Sequence, residues 1–228
     1  MDLAKFEWLV TKGALYFCRA DLFEDQLEGT LPSANLRVPR FFGFPIDPES
    51  DKGREFAGHK ERIWAQFRRW SYVSCWYHGE SPSELMWDRY AAQGTGVAIR
   101  SSFARMALAL NRTRRTVRIS DVEYADPEAA AVSERSLAAA LARKGPAYSP
   151  EVEVRLTTSL MPTGPGVGFW SEPTQRSILI PVTLSHLIAG MCAGPNATAA
   201  TIDHIKLLVP WTGLSFTWSD DEHPSPAI

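Results

Sequence analysis

Several signatures of common chemistry are missing from this chain. No GxGxxG follows a candidate strand, and GxxxxGKS, GxxxxGKT, HExxH and GxSxG do not occur. These absences weaken dehydrogenase, P-loop nucleotidase, zinc protease and serine hydrolase readings. Cysteine is scarce, with three residues far apart (Cys18, Cys75 and Cys192) and no CxxC pair. That excludes a disulfide framework and a cysteine zinc site. The thiols are expected to be reduced in a cytoplasmic protein, with Cys18 and Cys75 as buried small hydrophobes in apolar strands. No apolar run approaches the ~20 residues of a membrane span. The opening MDLAKFEWLVTKG is amphipathic with early acids, which is wrong for a secretory signal.

A formal net charge of −2 argues against binding nucleic acid through charge summed over the whole chain. A local basic patch at Arg112, Arg114, Arg115 and Arg118 keeps that partner open. The chain is 45% hydrophobic and 22% charged over 228 residues, enough for a sizeable core in a single domain over 1–219, with a polar tail at 220–228.

Leu3, Phe6 and Val10 recur at helical spacing before Gly13. A strand follows over 14–20. Residues 30–52 form a long connection rich in Pro and aromatics, either a binding loop or a flap packed by Phe41, Phe42 and Phe44. Phe56, Ile63, Phe67 and Trp70 mark a helix over 53–69, and WSYVSCW a strand. Ser81-Pro82-Ser83-Glu84 predicts a capped helix start. TGVAIRS is the next strand, and Ser102 caps a helix with Phe103, Met106, Ala107 and Leu110 on its apolar face. Residues 115–124 alternate as an exposed or edge strand. Asp126-Pro127-Glu128 opens an Ala-rich helix ending at Gly145. EVEVRL and ILIPV read as strands, with a mobile Gly/Pro segment at 161–169 between them. Leu184, Leu187, Ile188 and Met191 predict a helix, 197–208 another, and GLSFTWS the last strand. Strands and helices do not alternate regularly. The expected fold is α+β, with a mixed, mostly antiparallel sheet of about six to seven strands and flanking helices.

Two stretches carry candidate chemistry. Residues 71–102 concentrate Trp76, Tyr77, His78, Glu84, Trp87 and Tyr90 around a strand, a turn and a helix. Trp76, Trp87 and Tyr90 either stack a base or nicotinamide, or serve as core anchors. His78, between a strand and a turn, is a candidate catalytic residue. The second stretch is Glu151-Val152-Glu153-Val154-Arg155. Strand alternation puts Glu151, Glu153 and Arg155 on one face and the valines toward the core. Two neighbouring carboxylates raise each other's proton affinity unless Arg155 or a substrate cation compensates. That suits a base or a group stabilising an oxocarbenium ion, although spacing alone favours a solvated strand face with Glu–Arg pairs. Asp21, Glu24, Asp25 and Glu28 fit either metal ligands or surface charge.

The chain resembles a bacterial family known as domain of unknown function 2971. The resemblance rests on Leu15-Tyr16-Phe17, Asp25 with Glu28-Gly29, Met86-Trp87 with Tyr90-Ala91, and Gly96-Val97-Ala98-Ile99. Val122 with Tyr124, Glu151/Glu153/Arg155 and Ile180-Pro181 complete the set, which covers about residues 5–219. Glu24 and Gln26 stand where the family has Asn and Pro. A further strand with a Trp-Arg-Tyr-like start is missing, so any functional arginine there must be replaced, with Arg19 available. The family name carries no activity.

The order Arg19, Ser74, Glu151-x-Glu153 also resembles the Arg–Ser–Glu-x-Glu order of one ADP-ribosyltransferase class. That resemblance implies an enzyme acting at an N-glycosidic bond of NAD or a nucleotide. Arg19 would hold phosphate, Ser74 would orient the glutamate, and Glu153 would stabilise the sugar cation with Glu151 beside it. Arg155 and the aromatics would line the substrate site. NAD enters as a substrate, and no metal is expected. The alternatives are a nucleotide- or nucleic-acid-binding module, or a metal-dependent nuclease using Asp25, Glu28 and the 151/153 pair, in bacterial defence or stress response.

Overall fold

The structure is a computed structural model that describes residues 1–36, 40–41, 44–81, 83–92, 94–126, 131–132, 137–162, 168–209 and 216–217. The 220–228 tail, the centre of the 161–169 segment and the start of the Ala-rich stretch lie outside the described residues.

The first helix, α1 (Leu3–Lys12), begins where the Asp2 side chain accepts the Lys5 backbone N–H. It ends at Gly13, whose left-handed conformation returns an N–H to the Leu9 carbonyl. Strand β1 (Ala14–Arg19) leads into a 3-10 turn over Ala20–Leu22. The 30–52 connection contains a short helix, α2 (Ser33–Leu36), and a two-residue pair, β2 (Arg40–Phe41) with β3 (Phe44–Pro45). Ser50, accepting from Gly53 N, caps α3 (Asp51–Arg69).

Next come β4 (Ser71–Tyr77), α4 (Glu84–Tyr90), β5 (Val97–Arg100) and α5 (Phe103–Ala109), the last capped by Ser102 as expected. The expected start of α4 shifts: Ser83, not Ser81, is its N-cap, and no side-chain capping bond forms. Strands β6 (Arg118–Asp121) and β7 (Glu123–Tyr124) follow. Of the expected Ala-rich helix to Gly145, the described residues include α6 (Leu137–Leu141), and its end comes early because Arg143–Lys144 forms β8, pairing parallel with β7. Upstream of α6, the Val132 N–H and carbonyl both bond the buried Asn35 amide at 2.8 Å instead of continuing a helix.

Strand β9 (Glu153–Ser159) follows a 3-10 turn over Pro146–Glu151, and β10 (Ser177–Pro181) is the expected ILIP strand. Helix α7 covers Leu184–Leu187 alone. Met191, expected on that helix, lies in β11 (Gly190–Ala193), which pairs antiparallel with β5 from Gly190↔Arg100 to Ala193↔Val97. The helical spacing of four apolar residues is overridden by pairing with a distant strand. Helix α8 (Ala199–Leu208) and β12 (Phe216–Thr217) complete the order.

The fold class is α+β. The principal sheet has five strands in the order β10-β1-β4-β9-β6, and β12-β11-β5 form a separate sheet. Pairing is antiparallel in β1/β4, β4/β9 and β6/β9. Among the described residues, no helix is long and apolar enough to cross a membrane.

The backbone divides into two compact units, each assembled from separated stretches. One contains Met1–Tyr16, Gly79–Arg114 and Leu179–Ile228; its core includes Phe6, Val97, Ala109, Leu187 and Ile205, all without exposed surface. Trp87 belongs to this unit at 6% exposure, with its indole N–H unpartnered among the described residues, whereas Glu84 is exposed. Trp87→Ala is expected to cost ~3–5 kcal/mol. Glu84→Ala should stay within ~0.5 kcal/mol, because it removes no cap. Denaturant melts compare the two, and equal midpoints would show that Trp87 anchors nothing.

The other unit contains Phe17–His78 and Arg115–Ile178. Its fully buried side chains include Phe17, Tyr72, Leu156 and, unusually for a cation, Arg155 at 0% exposure.

Candidate functional site

The register of β4 against β9 decides which side chains meet. Tyr77 lies opposite Glu153, Cys75 opposite Arg155, Ser74 opposite Leu156 and Trp76 opposite Val154. On β6, Ser120 lies opposite Arg155. Cross-strand partners share a face, and alternate residues take opposite faces. Cys75, Tyr77, Glu153, Arg155 and Ser120 therefore occupy one face, while Ser74, Trp76, Val154 and Leu156 occupy the other. Arg19 lies opposite Tyr72, and so shares the face of Ser74.

The Arg19–Ser74–Glu153 set is thus divided by the sheet. Arg19 is buried and engaged: its Nε donates to Asp21 at 2.7 Å and its Nη1 to the Pro173 carbonyl at 2.8 Å. His78 is solvent-exposed and pairs with Asp121 at 2.9 Å. Trp87 and Tyr90 belong to the other unit, where Trp87 is buried and Tyr90 is 48% exposed. Trp76 is half-buried, with its indole N–H unpartnered among the described residues. Of the basic run, Arg112 and Arg114 fall in one unit and Arg115 and Arg118 in the other.

What the structure does bring together is a buried charge network. The Arg155 guanidinium donates through Nε to Glu153 Oε1 at 2.8 Å, through Nη2 to Glu28, and through Nη1 to the Leu141 carbonyl at 2.7 Å. The Phe23 ring lies 5.4 Å from the guanidinium carbon. The Lys144 ammonium meets Glu151 at 2.6 Å, Glu28 at 3.1 Å and Glu153 at 3.4 Å, with the Tyr148 ring centroid 4.6 Å away. The Tyr124 hydroxyl accepts the Glu153 backbone N–H at 2.8 Å. Three carboxylates, Glu28, Glu151 and Glu153, thus meet two cations, Lys144 and Arg155.

Two backbone features build the network. Gly29 is left-handed at φ +70°, and a Cβ there would stand 2.6 Å from Leu141 Cδ2. The turn after Glu28 can therefore close on Leu141, whose carbonyl Arg155 uses. Val152 sits at φ 36°, a strained value for a β-branched residue, and its side chain is 42% exposed. That kink ends the 3-10 turn, so Glu151 and Glu153 both reach Lys144 although one precedes the strand and the other opens it.

The expectation that Glu151, Glu153 and Arg155 share a strand face, with the valines toward the core, is therefore corrected. Glu151 lies outside the strand, the charged face is the buried one, and Val152 faces solvent. Complementary charges from Glu28 and Lys144 make that burial tolerable. Sequence reading placed Glu28 beside the 151/153 pair only as a metal ligand in the nuclease alternative, and missed Lys144. The signal for Lys144 was weak: a lysine just before Gly145, where a helix end is expected.

The expectation that Cys75 is buried is also corrected. Its side chain keeps surface open to solvent, yet protein atoms crowd it on most sides. Burial, then the Glu153 charge, push the Cys75 thiol well above its ordinary range, so it stays protonated beside the carboxylate. For Glu153, burial opposes ionisation, but the hydrogen bond and charge of Arg155, followed by Cys75 and Lys144, overrule it and lower its pKa. For Lys144, burial opposes the charge, but Glu151, Glu153 and Glu28 raise its pKa above the ordinary lysine value.

These shifts set a pH dependence. Glu153, depressed in the fold, contributes stability above the ordinary Glu value of about 4.3 and loses it as pH falls through its lower folded value. Lys144, raised in the fold, contributes below the ordinary value of about 10.4 and loses it as pH rises through its higher folded value. Unfolding free energy from this network is expected to be flat between about pH 5 and 9 and to fall on both sides. Lys144→Met should flatten the alkaline limb, measured by urea melts across pH. An unchanged limb would remove Lys144 from the network.

Among the described residues, no group of three or more His, Cys, Asp and Glu side chains is placed to hold a metal ion. The Lys144 ammonium occupies the centre of the carboxylates. Asp21 is taken by Arg19, and Asp25 accepts the Leu27 backbone N–H. No family model matches the chain, and no curated protein or solved structure matches it either. The resemblance to domain of unknown function 2971 rests on the motifs quoted above.

Proposed function

We propose that the Glu153 face of the principal sheet acts at an N-glycosidic bond of NAD or a related nucleotide. The observation that carries this is an ionised carboxylate held rigidly by Arg155 and Lys144, on the sheet face that also carries the exposed Cys75. A positive nicotinamide ring, or a sugar ring gaining positive charge as that bond breaks, is the complement of such a site. Glu153 supplies a preorganised negative charge and needs no proton transfer to do so. Its fixed geometry suits stabilising a cation better than acting as a base, because Arg155 and Lys144 lower its proton affinity. Tyr77, opposite Glu153 on β4, is an aromatic group on the same face.

A second reading is binding without turnover. The position of Arg19 and Ser74 on the opposite face favours it, since neither can hold phosphate nor orient Glu153 there. The test is NAD consumption by the wild-type protein with and without chelator, beside calorimetric titration with NAD. Turnover insensitive to chelator supports the enzyme. Heat of binding without turnover selects the binding module. A folded protein that does neither removes both, and turnover abolished by chelator turns the assignment toward a nuclease-like activity.

A further inference from the structure

Trp170 is 58% exposed, yet the backbone around it is firmly held. The buried Gln66 side chain donates to the carbonyls of Phe169 and Ser171, both at 2.7 Å, and so clamps the residues on either side of Trp170. The Trp70 indole N–H adds a bond to the Phe169 carbonyl at 2.9 Å. Phe169 stands edge-on to Phe67 at 4.9 Å and to Trp170 at 5.0 Å, and His59 lies 6.5 Å from Trp170 at a tilt of 51°. A large indole surface is therefore displayed to water on a backbone that has already lost its freedom. Fixing an exposed Trp contributes little to folding, whereas it lowers the entropic cost of binding something flat.

Charges of both signs lie near: Glu55 stands one turn before His59 on α3 and the exposed Glu172 is two residues from Trp170, but the C-terminal half of that helix side is basic. On α3, His59, Arg62, Gln66 and Arg69 follow helical spacing along one side. Arg62 and Arg69 are exposed, and neither makes an ion pair among the described residues. They are separated by about 10 Å along the helix axis, at 1.5 Å per residue. Two mobile cations at that separation fit successive phosphates of a strand better than the clustered phosphates of one nucleotide. An open aromatic platform beside a basic track is the arrangement that binds unpaired bases without reading their sequence.

We propose that Trp170, with His59 and Phe169, stacks an unpaired base of single-stranded nucleic acid whose phosphates run along Arg62 and Arg69. This site is independent of Glu153 and of NAD. The experiment is fluorescence anisotropy with end-labelled oligo-dT and oligo-U of about a dozen residues, over a salt series. Trp170→Ala should weaken binding about 10- to 100-fold, and Trp170→Tyr should restore most of it. The paired change Arg62→Gln with Arg69→Gln should reduce the slope of log affinity against log salt by about 1.4. NAD turnover or binding should be unchanged in Trp170→Ala, which separates failure here from failure of the Glu153 reading. Equal affinity in wild type and Trp170→Ala overturns the proposal, as does a duplex binding as well as a single strand. Full competition by a mononucleotide at equal phosphate concentration overturns the strand assignment. Trp170-dependent self-association in sedimentation would give the shelf to a second copy instead.

Discussion

Replacing Arg155 with methionine is expected to cost about 3–5 kcal/mol of folding free energy. The methionine keeps most of the aliphatic stem, so little packing is lost. What disappears is the counter-charge. Glu153 loses a two-pronged partner, Glu28 loses its guanidinium contact, and the Leu141 carbonyl loses its donor, all at sites under 10% exposed. Lys144 alone would then balance three carboxylates. Glu153 would take up a proton at higher pH than in wild type, so the variant should gain some stability as pH falls toward 5, a range over which the wild-type contribution is flat. Denaturant melts at pH 5 and pH 8 measure both effects. A loss below about 1 kcal/mol, with no change in pH trend, would mean that water reaches the network.

The second large effect is on rate. If NAD is consumed, Glu153→Gln should lower kcat by ~10²-fold or more, the scale for removing one preorganised electrostatic group from a transition state. From sequence, the fold is expected to tolerate this change, because a polar strand face lies at the surface. The buried position of Glu153 alters that expectation. The amide is nearly the same shape but no longer offsets Arg155 and Lys144, so some stability goes as well. Rates must therefore be taken where circular dichroism shows the variant folded. A kcat loss that tracks the folded fraction would make Glu153 structural, whereas a loss in fully folded protein assigns it to the reaction.

The sequence carried the helices well where chemistry is local. Asp2 and Gly13 bracket α1, and Ser102 starts α5, because caps act within a turn of the residues they bond. The candidate site was legible in part. Alternation put Glu153 and Arg155 together, but a period of two names two faces without saying which is covered. That depends on Glu28, 127 residues from Arg155, and on a lysine from an expected helix end. The Arg–Ser–Glu order failed for a related reason. Chain order survives any register, but a shift of one residue in β4 against β9 would exchange Ser74 for Cys75 beside Arg155. Met191 shows the same limit, since a helical spacing read within eight residues cannot anticipate a partner at Ile99.

The interleaving of the two units has a consequence for how the protein is made. Synthesis proceeds from the first residue, yet β5 has no β11 to pair with until about ninety more residues have emerged. The unit that holds β5 and β11 lacks its third stretch until residues beyond Leu179 have emerged, whereas the other has all its residues by Ile178. Until then, the nascent chain carries unpaired strand edges and uncovered apolar side chains such as Val97 and Phe6. Such non-local closure makes folding slow and favours holding by a chaperone during translation. A truncation near residue 178 keeps one unit whole but leaves Met1–Tyr16 and Gly79–Arg114 without Leu179–Ile228, so the product should aggregate through side chains such as Val97.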